Sequence, residues 1–88
     1  MLKLILSDAF QRKLNRFIKI HKELESDIGS IFVLLEKDAY SLSLKTHKLK
    51  GKLVDFHSCS INYQYRIVFK IDKDFIFLHS IGSHDDVY

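Results

Sequence analysis

Two stretches and one arginine carry the residues best suited to proton and phosphate chemistry. In "SIGSHDDVY", residues 80–88, His84 and Tyr88 lie four positions apart beyond Gly82, a residue that permits a bend. A turn of helix there would set both side chains on one face. In "KTHKLKGKL", residues 45–53, Lys45, His47, Lys48, Lys50 and Lys52 fall in a gap between Asp38 and Asp55 that holds no acid. Arg66 stands in "YQYRIVFKI". Its guanidinium stays charged and can give two parallel hydrogen bonds to a phosphate. Histidine exchanges protons near neutral pH. Together these groups match the needs of RNA cleavage without a metal. In that reaction a 2′-hydroxyl loses a proton and attacks phosphorus, charge grows on the phosphoryl oxygens, and the leaving 5′-oxygen takes up a proton.

Each residue also has a plainer reading. Arg66 could be an exposed charge or a partner for Asp85 or Asp86, and His84 a surface residue. His21 and His79 fit packing roles, and the facing of His57 is open. Cys59, alone in a β-rich run, reads as a small buried hydrophobe. "HDD" does not make a metal site, because a structural site needs about four ligands and no second cluster has the right spacing. No metal and no cofactor is expected.

The elements that position these groups follow from periodicity. "LKLIL", residues 2–6, reads as a short strand, with Ser7 or Asp8 able to cap the helix behind it. Phe10, Leu14, Phe17, Ile18 and Leu24 keep helical spacing over residues 9–24. Arg12, Arg16 and Lys19 share a basic stripe on that helix. A second helix is expected from about Ile28 to Tyr40, capped by Ser26 or Asp27 and packed as a hairpin with the first. Three β-rich runs follow: "KLVDFHSCSI", "YQYRIVFKI" and "FIFLHSI". In the middle one Tyr63, Tyr65, Ile67, Phe69 and Ile71 alternate with polar positions, so Arg66 points from the polar face. The Asp-Lys-Asp link at 72–74 predicts a hairpin. The expected architecture is α+β, with an N-terminal helical hairpin on a four-stranded, mainly antiparallel, twisted sheet, forming one domain over residues 1–88.

Composition sets bounds on function. A hydrophobic content of 47% with seven Phe and four Tyr supplies a core and excludes a disordered chain. Fourteen Lys and Arg against eleven acids favour an anionic partner. The lone Cys59 cannot form an intrachain disulfide, and the apolar stretch near the N-terminus is too short for a signal-peptide core, so a cytoplasmic location is expected.

The motifs "THKLKGKL", "YRIVFKI" and "IGSHDDVY", in that order, resemble the RelE/ParE superfamily of bacterial toxin-antitoxin toxins, and the YafQ-like branch of RelE toxins in particular. That resemblance implies a RelE-like fold and metal-independent endoribonuclease action on mRNA in the ribosomal A site. It implies catalytic roles for Arg66 at the scissile phosphate, His84 in proton transfer, Tyr88 as the aromatic that orients the substrate, and His47 at the head of its motif. Lys48 and Lys50, with Lys45 and Lys52 beside them, would bind RNA. Arg12, Arg16 and Lys19 would meet the 16S rRNA surface of the ribosome. Where YafQ-like toxins carry a further His and an Asp, this sequence has Ser60 and Gln64. The implied protein partner is an acidic, partly disordered antitoxin. Two alternatives share the fold: a ParE-like toxin that inhibits DNA gyrase, and a non-catalytic member kept for RNA binding or repression.

Overall fold

The chain begins with β1 (Lys3–Leu6), which leads straight into α1 (Asp8–Ile20). The structure, a computed structural model, describes residues 2–87, and of Asp86 the backbone alone. Ser7 is the residue that caps α1: its Oγ accepts from the Phe10 N–H at 3.1 Å. That bond satisfies one of the orphan donors of the first turn, and Asp8 adds a favourable charge there. Phe10, Leu14 and Phe17 then repeat along one face and are buried.

The helix is shorter than its periodicity suggests. It ends at Ile20, and Lys22–Leu24 form a tight 3-10 turn that puts Leu24 into the core. The second helix, α2 (Glu25–Lys37), therefore starts three residues before Ile28 and stops before Tyr40. Neither Ser26 nor Asp27 caps it, since both lie inside its first turn; Leu24 holds the cap position without a side-chain bond. Burying Leu24 and Ile28 on the same side sets the corner, and tertiary packing has overridden the local cap signal.

The sheet has five strands and is mixed, which corrects the expectation of four. Its order is β1, β5 (Phe75–Ser83), β4 (Tyr65–Asp72), β3 (His57–Ser60), β2 (His47–Lys48). β1 runs parallel to β5, and the other pairings are antiparallel. The added strand, β2, lies inside the lysine-rich stretch. The free edge of β1 is closed by α2, because Glu36 accepts from Leu2 N–H through its carbonyl and from Leu4 N–H through Oε2. An edge so occupied offers little to another strand.

One face of the sheet packs on the helices. Cys59, Ile67, Phe69, Ile76, Leu78 and Ile81 join Phe10, Leu14, Phe17, Ile28 and Leu35 in a single core. The opposite face holds a second, smaller buried row, Ser58 opposite Val68 opposite Ser80. β4 starts at Tyr65; Tyr63 stands outside it, nearly fully exposed. Val68 pairs with Ser80 and Phe69 with Leu78, so His79 is the extra residue of a β-bulge. The final element is α3 (His84–Val87), a turn of helix against β4 and β5 in which Val87 is buried.

Candidate functional site

Register places Arg66. On β4 it lies opposite Ser60 of β3 and Gly82 of β5. Their neighbours Ile67, Cys59 and Ile81 belong to the helix-side core, so this row looks out from the other face. The Arg66 Nη1 donates to Ser60 Oγ at 3.0 Å and to the Asn62 carbonyl at 2.7 Å, with a longer contact to the Tyr65 carbonyl at 3.5 Å. Asn62 in turn fixes the approach to β4, its Oδ1 accepting from the N–H groups of Gln64 (2.9 Å) and Tyr65 (2.8 Å). The arginine is thus held by serine and backbone rather than by Asp85. Among the described residues its hydrogen bonds all run through Nη1, which leaves the Nε and Nη2 edge to meet an anion. Gly82 has no side chain to obstruct that edge.

The lysine-rich stretch is held at several points. Leu44 is buried, Thr46 Oγ1 donates to the Ala39 carbonyl at 2.6 Å, and Lys45 adopts a left-handed backbone with φ 52°. His47 and Lys48 then pair with Ser58 and His57, and the Leu49 N–H reaches the Phe56 carbonyl. Gly51, at φ 70°, turns the chain into a 3-10 turn, Gly51–Leu53, through a conformation that other residues adopt at a cost. What reads as a solvated loop is therefore a fixed rim.

α3 completes the site. His47, Lys48, Lys50, Lys52 and His84 line one cleft of about 530 Å³, with Leu49 and Leu53 as its apolar wall. The His84 ring is largely exposed, and its Nδ1 lies 3.6 Å from Asp85 Oδ1. Arg66 and Lys45 line a separate hollow with Ser60 and Asn62. The two hollows are linked through the chain. Lys45 is two residues from His47, and Gly82, opposite Arg66, is two from His84. Tyr88 lies outside the described residues. Arg12, Arg16 and Lys19 are exposed on α1 and line neither hollow.

His57, His79 and Cys59 serve packing rather than this cleft. His57 faces the core, its ring stacked on Phe69 at 5.7 Å and met edge-on by Tyr40. Burial, then the charge of Lys48, holds its pKa below the usual histidine value. His79 packs on Phe56 and is lowered by burial, then by Lys13. Burial pushes the Cys59 thiol up to about 12, far from a thiolate nucleophile. No group of three or more His, Cys, Asp or Glu able to hold a metal occurs among the described residues. No helix among them is long and apolar enough to cross a membrane.

Sequence reasoning missed the support shell of Arg66. Ser60 entered only as a departure from a family pattern, yet it grips the guanidinium. Asn62, followed two residues later by Gln64, carried the signature of an Asx turn and was legible.

A β1-α1-α2 start, with β1 added parallel to β5 of an otherwise antiparallel sheet, is the arrangement of RelE-like toxins. Solved structures agree. A copper-bound mutant toxin from Helicobacter pylori superposes with a TM-score of 0.83 at 27% identity over all of both chains. YafQ from E. coli gives 0.84 at 14% identity, over all of this chain and 99% of that one. YoeB in its complex with YefM from Staphylococcus aureus gives 0.77 at 24%, over 96% and 98%. No curated protein sequence is similar enough to count as a relative. Residues 2–88 match the family described as the bacterial toxin of type II toxin-antitoxin system, YafQ, and the chain belongs to that family.

Proposed function

We propose that this toxin is a metal-independent endoribonuclease that cuts mRNA on the ribosome. The observation that carries the reading is the cleft in which His47, His84 and three lysines meet beside the Arg66 strand. Two histidines on one cleft supply an acceptor and a donor for protons. One imidazole takes the proton of the 2′-hydroxyl as its oxygen bonds to phosphorus. The P–O5′ bond breaks, the second imidazole protonates the departing 5′-oxygen, and a 2′,3′-cyclic phosphate remains. The free edge of Arg66 binds the phosphoryl oxygens as their charge grows, within a field set by Lys45, Lys48, Lys50 and Lys52. Tyr88 would orient a nucleotide.

The ribosome supplies orientation, which explains how so open a cleft can be selective. Arg12, Arg16 and Lys19 give α1 a cationic surface for 16S rRNA. An acidic antitoxin laid over the lysine rim would silence the toxin by neutralising that field. Such a protein acts in the cytoplasm. The direct test adds purified toxin to ribosomes holding a defined codon in the A site. The expected result is one cut that leaves a cyclic phosphate and is lost in His84→Ala. Absence of any cut, or a cut whose products carry no cyclic phosphate, contradicts the proposal.

A further inference from the structure

A second hollow with nucleic-acid character lies on the helix side of the same end of the sheet. Its floor is an aromatic cluster. Phe17 and His21 rings are 4.5 Å apart and tilted, Phe17 and Tyr65 meet edge-on at 5.1 Å, and His21 and Tyr65 are 4.7 Å apart. Phe17 is buried and fixes the other two, whose rings are only partly covered. Lys13 and Arg16 form one wall and Ile20, at 68% exposure, another; the hollow is about 360 Å³ and no acid is among its lining residues, the exposed Glu23 carboxylate standing 3.8 Å from the His21 Nδ1 outside it. Lys13 is steadied by its ammonium, which donates to the His79 carbonyl at 3.4 Å.

The position of this hollow matters as much as its lining. Gly82 borders it and is also the residue opposite Arg66, while Tyr65 is paired with Ser83, next to His84. The proposed phosphate site and the aromatic hollow are therefore the two sides of one end of the β4–β5 ladder. A strand leaving Arg66 reaches the hollow by rounding that end.

Building on the ribonuclease reading, we propose that the hollow is a nucleotide subsite, in which a base flanking the cleaved phosphate stacks on His21 and Tyr65 while Lys13 and Arg16 hold its phosphates. Pre-set rings beside cations are the means by which proteins hold single-stranded RNA, since every base presents a stacking face. An acidic peptide would use the cations but gain nothing from the rings.

The test is an NMR titration of the ¹⁵N-labelled toxin with 2′-O-methyl octaadenylate, which the toxin cannot cut, and with an abasic strand of equal charge. The octaadenylate is expected to shift resonances of Ile20, His21 and Tyr65, and the abasic strand to bind far more weakly. His21→Ala should weaken octaadenylate binding by about 5- to 150-fold, the range for losing one stacked base. His21→Phe should retain it. Ile20→Glu, at an exposed position where folding is not at stake, should weaken it by setting a carboxylate in the hollow. Unchanged binding in His21→Ala and Ile20→Glu, with loss in Lys50→Ala, overturns the subsite and leaves the ribonuclease reading standing. Equal binding of the abasic strand, with an octaglutamate peptide shifting the same resonances, also overturns it and marks the hollow as a site for charge alone. No shift with the wild type overturns it too, and the cleavage assay on ribosomes then judges the wider reading separately.

Discussion

Ser60→Ala removes the side chain that aims Arg66 while leaving the arginine in place. The deleted bond, Nη1 to Ser60 Oγ at 3.0 Å, is partly buried and charge-assisted. Hydrogen bonds to charged groups contribute about 1.5–3 kcal/mol net. The Asn62 carbonyl at 2.7 Å survives the substitution and keeps part of the restraint. We therefore expect about 1–2 kcal/mol of lost transition-state stabilisation, roughly a 5- to 30-fold fall in kcat/KM. Arg66→Ala removes the proposed hydrogen-bond donor to the phosphate and should cost about 10²- to 10³-fold, as loss of an oxyanion donor does. The assay is single-turnover cleavage on programmed ribosomes, with thermal melts run alongside. Ser60→Thr, which keeps the hydroxyl, should stay near wild type, and Ser60→Ala should have no further effect once Arg66 is alanine. Full activity in Ser60→Ala, or an equal loss in the Arg66→Ala background, would refute the claim that serine acts through the arginine.

The same geometry gives three further expectations. His57 and His79 are both held below the ordinary histidine pKa, so the unfolded chain takes up protons that the folded chain refuses. Stability should be full above about pH 6.5 and fall as pH drops from there toward the folded values, with at most about 1.4 kcal/mol per pH unit from the buried His57. The more exposed His79 adds less. Melts from pH 8 to 5 should show this slope, a shallower slope should follow His57→Phe, and a flat wild-type profile would contradict it. Cys59, buried and with its thiol pushed up to about 12, should resist iodoacetamide in the native protein and react once urea unfolds it; rapid native labelling would show the strand to be open. Ser7→Ala should cost about 1 kcal/mol in urea unfolding through loss of the α1 cap, and an unchanged midpoint would show that the Phe10 N–H finds another acceptor.

What could be read from the sequence was what local pattern encodes. A cap at Ser7 or Asp8, the inward stripe Phe10-Leu14-Phe17 and the outward facing of Arg66 are visible without coordinates. A turn of helix at His84 entered only as the condition under which His84 and Tyr88 would share a face, and the structure has one at His84–Val87. β2 was hidden because two residues carry no alternation, and the lysines around it look like a solvated loop. Pairing with His57 and Ser58, together with the Thr46 anchor, makes it a strand. The bulge at His79 shifts the alternation of β5 and sets Ser80 beside Val68 on the face away from the helices, and both are buried there although a polar face was expected. The partnership of Ser60 and Arg66 depends on register between strands. It was invisible to any reading of one strand at a time, and the facing of His57 was open for the same reason.

Departures from the family pattern take on physical sense in this light. Ser60, which the resemblance marks as a departure from the YafQ-like pattern, here braces the arginine. On the proposed reading proton transfer falls to His47 and His84, which line one cleft. That division of labour is the centre of the functional account. It is tested most directly by mapping mRNA 5′ ends by primer extension within minutes of inducing the wild type, His47→Ala and His84→Ala. The expected result is a set of in-frame cuts with the wild type, reduced by about 10²-fold or more in each variant, the usual contribution of a positioned proton donor or acceptor. Growth arrest with intact mRNA, or undiminished cutting by both variants, would contradict the account.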